Sequence, residues 1–158
     1  MTQPHPISVE NFSHVCIGVS DMDASVAFYT DVLGMDVVFD VSFDGDGLGE
    51  VTGGAAQTGR MVGGLVGAVM VELMDLGTVP ASPEGPHLGY TNVSFRVADL
   101  DIASEQLQQH HPEVRATRTV EIAGLRMLFV YDPDGTPIEL IELPAGAQST
   151  LQMWRPTA

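Results

Sequence analysis

Residues 13–23, SHVCIGVSDMD, align without a gap on residues 91–101, TNVSFRVADLD, at an offset of 78. Four positions are identical: Val15/Val93, Val19/Val97, Asp21/Asp99 and Asp23/Asp101. A second pair, VELMDL at 71–76 and IELIEL at 138–143, aligns at an offset of 67. The two halves therefore share a beginning and an end, and the first holds eleven more residues between them. A repeat of this length means one supersecondary unit built twice, with the copies burying a common core.

Each copy reads as a strand, a helix and further strands. Val15, Ile17 and Val19 alternate with His14, Cys16 and Gly18, the period of a half-buried strand. Ser20 or Asp21 can cap the helix that follows, and Gly34 stops it. In the second half Val93, Phe95 and Val97 precede a helix over 99–110, broken before Pro112. β-prone runs follow at 37–41, 59–65 and 69–73, and again at 114–122, 126–131 and 138–143, with Asp132-Pro133-Asp134-Gly135 as a tight turn. The glycine-rich stretch 44–64 takes the extra residues; Gly45, Gly47 and Gly49 have no GK[ST] after them, so a loop fits better than a phosphate cradle. The expected fold is α+β: a tail at 1–10, a βαβββ module at 11–80, a linker at 81–89, a second module at 90–144 and a tail at 145–158, where Leu151, Met153 and Trp154 need cover.

Composition narrows the chemistry. Six basic residues stand against 21 acidic ones, for a net charge of −15, and all six are arginines. With no lysine, Schiff-base and P-loop chemistry have no residue to carry them. So acidic a chain repels a polyanion, so no nucleic-acid partner is expected. No apolar run is long enough for a membrane helix, residues 1–6 show no signal-peptide pattern, and Cys16 is the sole cysteine; the expected location is the cytoplasm.

The repeat also picks out chemistry. His14 opens the first strand and Asn92 is its mate; Glu72 sits among apolar residues in the last strand of its half and Glu139 is its mate. A carboxylate within an apolar strand is costly unless paired, protonated or coordinated. One His, one Asn and two Glu, read as four inward-facing groups, make a nitrogen-and-oxygen set for one divalent metal. The alternative is that arginines, Arg96 first, neutralise the two carboxylates. Arg60 and Arg126 are candidate clamps for a substrate anion, Cys16 is pocket wall, Met70 and Met74 line the face of Glu72, His87 is a linker residue within reach of the site, His110 and His111 end the second helix, and His5 lies in the tail.

The run from His14 through Phe28-Tyr29 to Leu33-Gly34, the DPDG turn at 132–135 and Ile138-Glu139-Leu140 together resemble the vicinal oxygen chelate superfamily, the glyoxalase, bleomycin resistance and dioxygenase proteins. The resemblance implies two βαβββ modules forming a cupped, incomplete β-barrel, with one metal held from the first and last strands of each module, and a homodimer. It would make His14, Glu72, Asn92 and Glu139 the ligands of one ion, which could be Mg, Mn, Ni, Zn or Fe. Asn92 departs from the pattern, which usually has His there. The implied activity is that of an isomerase, epimerase or lyase, with Glu139 or Glu72 moving a proton of a small substrate with vicinal oxygens through an enediolate-like intermediate. Two alternatives stand beside it: a non-catalytic binder of small cationic compounds, and a non-haem iron dioxygenase, against which Asn92 counts.

Overall fold

The computed structural model describes residues 12–44, 58–77, 80, 89–122, 124–144, 147 and 149. The expected tail at 1–10, the stretch 45–57, residues 81–88 of the linker and most of the tail at 145–158 lie outside the described residues, and with them His5, His87 and Trp154. The elements are β1 (His14–Gly18), α1 (Met22–Asp31), β2 (Asp36–Asp44), β3 (Thr58–Val66), β4 (Val69–Asp75), β5 (Val93–Val97), α2 (Leu100–His110), β6 (Val120–Ile122), β7 (Leu125–Tyr131) and β8 (Pro137–Glu142). They form two four-stranded sheets of like order, β1-β4-β3-β2 and β5-β8-β7-β6. In each, the first and last strands of the unit pair in parallel and the other pairs are antiparallel. The class is α+β, the βαβββ unit occurs twice, and no barrel closes among the described residues. No helix among them is long and apolar enough to cross a membrane.

All four repeat identities have a structural cause. Val15, Val93 and Val97 pack against one core cluster, and Val19 is buried within it. The cluster draws on both sheets, with Val71, Leu73, Val130 and Ile138 fully buried, each worth about 1.5–3 kcal/mol relative to exposure. Asp21 caps α1 by accepting from the Ala24 N–H (3.0 Å), and Asp99 caps α2 by accepting from the Asp101 and Ile102 N–H groups (2.9 and 3.0 Å). Such a cap is worth about 1 kcal/mol. Asp23 and Asp101, one turn on, each take an arginine from the neighbouring sheet: Arg60 at 2.9 Å and Arg126 at 2.5 Å. Gly34 then ends α1 in the left-handed region at φ 69°.

Two differences from the expected elements stand out. The run at 114–122 yields only β6 and one isolated bridge from Ala116 to Val130. Between them the Thr117 hydroxyl oxygen accepts from the Phe129 N–H (3.0 Å), so a side chain replaces a carbonyl in the ladder. The second difference is the DPDG turn, which does more than reverse the chain. Asp132 is buried, accepting from the Asp134 and Thr136 N–H groups (3.0 and 2.8 Å) and from the Tyr29 hydroxyl of α1 (3.1 Å). Asp134 accepts from the Ser20 N–H (2.9 Å) and from its hydroxyl. The turn of the second half thus clasps the first.

Candidate functional site

Strand alternation decides which side chains can meet a ligand. In β4 Val71 and Leu73 face the core, so Met70, Glu72 and Met74 face away from it; in β1 Ile17 faces the core, so His14 and Cys16 face away. The register sets Cys16 beside Glu72 and His14 beside Met70. On this face His14 Nε2 lies 3.4 Å from Glu72 Oε2. The other ring nitrogen, Nδ1, is 2.9 Å from the Ser13 hydroxyl, which fixes the ring so that Nε2 points to the carboxylate. Glu72 is only 14% exposed and His14 is 41% exposed. Cys16 is exposed on this face; partial burial of its thiol, with the Glu72 charge second, pushes the thiol above its usual range and keeps it protonated.

The second sheet repeats the arrangement. Val93, Phe95 and Val97 pack on the core, which turns Asn92, Ser94 and Arg96 to the opposite face, and Ile138 and Leu140 do the same for Glu139. Asn92 Nδ2 donates to Glu139 Oε2 at 3.4 Å. The four predicted ligands are therefore brought together as two pairs, His14 with Glu72 and Asn92 with Glu139. Among the described residues no three His, Cys, Asp or Glu side chains converge, so the pairs do not merge into one cluster within the chain.

The donor set fits a divalent ion. Two ligands at about 2.1 Å from one ion and at right angles to each other stand about 3 Å apart, close to the 3.4 Å of the His14 and Glu72 pair. In the other pair the Asn92 amide nitrogen faces Glu139 while its Oδ1 accepts from the Thr91 hydroxyl (2.9 Å), so a flip of the amide is what would present an oxygen to an ion. Two carboxylates balance the charge of one dication, and neither carries an arginine counter-ion among the described residues. Arg96 takes neither of them.

Arg60 and Arg126 are not substrate clamps. Arg60 is held by Asp23 and Asp40 (both 2.9 Å), and Arg126 by Asp101 (2.5 Å) and Glu142 (3.1 Å), on the side of each sheet that faces its helix. Their side-chain bonds to carboxylates raise both guanidinium pKa values, and the bond from Arg60 holds Asp40 below the usual carboxylate range. His110 is the last residue of α2 and His111 its cap, 4.0 Å from Glu113. A groove of about 920 Å³ runs between α1 and the 132–135 turn, lined by residues such as Ala27, Asp31, His111, Arg115 and Tyr131 and by none of the four paired donors. Sequence reasoning missed the clasp of Tyr29 and Ser20 to Asp132 and Asp134. The available signal was the two aspartates of the DPDG turn, which the corresponding turn of the first half, at 65–68, lacks.

Known proteins resemble the chain over nearly this whole span. A 2-epi-5-epi-valiolone epimerase from Actinomyces sp is 30% identical over 160 residues, covering 90% of this chain and 87% of that one. A lactoylglutathione lyase from Salmonella typhimurium is 30% identical over 139 residues, covering 82% and 90%. The crystal structure of a glyoxalase family protein from Bacillus cereus superposes with a TM-score of 0.71 at 23% identity, over 86% of this chain and 95% of that one. The sequence profile that matches residues 11–140, a span holding nearly all of both βαβββ units and the four paired side chains, places the chain in the Glyoxalase/Bleomycin resistance protein/Dioxygenase superfamily.

Proposed function

We propose that the protein is a metal-dependent isomerase, epimerase or lyase acting on a small substrate with vicinal oxygens, and that its site is shared between two copies of the chain. One observation carries this reading: four symmetry-related polar side chains stand as two pairs on sheet faces turned from the common core, and each pair would supply half of a coordination sphere. The His14 and Glu72 face of one copy would meet the Asn92 and Glu139 face of another. Their superfamily relatives include an epimerase and a lyase, which favours proton transfer over mere binding.

A divalent ion held there supplies Lewis-acid stabilisation of negative charge on the substrate oxygens. Everything else falls to the chain. Glu139 or Glu72 takes the proton alpha to the carbonyl at a carboxylate oxygen and returns it to the neighbouring carbon, or to the other face of the same carbon. Asn92, a neutral oxygen donor where imidazole would bind zinc or nickel more strongly, favours a harder ion such as Mg or Mn. Met70, Met74 and Cys16 give the face of Glu72 an apolar, adaptable wall that excludes water from the proton in transit.

Mixed dimers test the shared site. Glu72→Gln and Glu139→Gln chains each lose tight Mn(II) binding as homodimers. Mixed one to one, about half of the dimers are heterodimers with one doubly altered and one intact site, so tight binding returns to about a quarter of the wild-type content across the mixture and about half in the isolated heterodimer. A mixture that binds no metal, while the wild type does, places the site within one chain and overturns the shared arrangement.

A further inference from the structure

We infer that Arg96 recognises an anionic group of the substrate, a carboxylate or phosphate, set a short carbon chain away from the oxygens that engage Asn92 and Glu139. This rests on the proposed vicinal-oxygen site and adds the class of molecule that enters it. The observation is an arginine without a counter-ion among the described residues, in a chain where acids outnumber arginines 21 to six. Arg60 and Arg126 are each held by two carboxylates, and Arg115 stacks 3.6 Å over the Tyr131 ring. Arg118 lies in the connection before β6 rather than on a strand. Among the five described arginines, Arg96 alone stands on the Glu139 face of a strand, exposed, with no ion pair or hydrogen bond to a described residue.

Register sets its distance from the proposed chemistry. Ser94 pairs with Glu139 and Arg96 with Ile141, so Arg96 lies two residues beyond Glu139 on the same face, about 7 Å along the sheet. That offset keeps the guanidinium from quenching Glu139 yet lets one ligand touch both. Its neighbours on that face, Ile141 and Met127, are apolar, which strengthens a bidentate pair with an oxyanion. With a net charge of −15 the protein repels anions in general, so a local cation beside the site selects for one placed to reach it.

Three probes share adjacent hydroxyl and carbonyl oxygens and differ in charge: dihydroxyacetone, 5-hydroxylevulinate and dihydroxyacetone phosphate. The wild-type Mn(II) protein is expected to bind one of the two anions at least about tenfold more tightly than dihydroxyacetone in calorimetry, the increment of a charge-assisted bidentate pair. Which anion wins separates carboxylate from phosphate. Arg96→Gln should bring that preference to within about twofold while leaving Mn(II) content, melting temperature and dihydroxyacetone affinity unchanged. Arg96→Lys, which keeps the charge and loses the fork, should retain part of it and serves as the variant of choice if the glutamine form folds poorly. Absence of an anion preference in the wild type, or its survival in Arg96→Gln, overturns the inference and leaves the metal site standing. Failure to bind Mn(II) overturns both.

Discussion

Glu72 and Glu139 hold the same place in two copies of one unit, yet each is walled by an aromatic ring that arrives by a different route. Opposite Glu72 on β3 is Gly63, and Phe39 of β2 lays its ring over that glycine: a Cβ there would stand 2.2 Å from the ring. Opposite Glu139 on β7 is Phe129 itself. Strand length explains the difference. β2 and β3 run nine residues each and pair beyond Gly63, whereas the three-residue β6 stops at Val120 beside Met127 and cannot send a ring over β7. The duplicated unit keeps the carboxylate and its apolar wall while the supplier of the wall changes. The turns diverge further: the first half turns at Gly67, φ 61°, while the second uses 132–135 to grip the other half.

That second asymmetry predicts the largest effect. Asp132→Ala strips partners from two backbone N–H groups and the Tyr29 hydroxyl at once, so urea unfolding should show a loss on the order of 3 kcal/mol. Asp132→Asn, whose amide oxygen still accepts from the backbone, should lose about 1 kcal/mol. Equal losses in the two variants would mean that the acceptor geometry of the turn contributes nothing, and the clasp would be incidental to the docking of the halves.

The ring routes can be broken next. Gly63→Ala forces the Phe39 ring off its seat, an overpacking cost of about 2 kcal/mol. Phe39→Ala in the same chain should relieve most of it, so the two changes fall short of additivity by 1 kcal/mol or more, roughly the coupling of touching residues. Additive losses would place the ring away from Gly63.

Much of this was legible in the sequence because a repeat reports geometry. Period-two alternation at Val15, Ile17 and Val19 and the glycine stop at Gly34 gave strand and helix with their ends, and the paired mates singled out His14, Glu72, Asn92 and Glu139 before any fold was known. Less legible was anything set by partners distant in sequence. Arg60 and Arg126 read as free cations because Asp40, 20 residues away, and Asp101, 25 away, meet them only after folding. The separation of the donors into two pairs was invisible for the same reason: symmetry relates His14 to Asn92 but does not say which pairs share a cavity. The link from Asp132 to Tyr29, 103 residues apart, has no local signature beyond an aspartate in a turn.

The smallest expected effect tests the clasp by its charge. Burial raises the Asp132 carboxyl above its ordinary value, and the hydrogen bonds from Thr136 and Tyr29 pull it back in part. Since the folded value exceeds the unfolded one, this group's contribution to stability is fully present below about pH 4 and falls as pH rises through the raised value. Tyr29→Phe removes one of the bonds that hold the ionised form, so the folded value climbs further and the window widens. The variant should therefore lose about 1 kcal/mol at pH 7 and distinctly less near pH 3, about a unit below the ordinary carboxyl value, where the raised carboxyl is protonated in both proteins. In an Asp132→Asn background the pH dependence of the Tyr29→Phe loss should vanish, because no proton is left to move at that position. A loss that stays equal at both pH values in the parent background would show that Tyr29 stabilises through its ring alone, its hydroxyl idle beside the carboxylate.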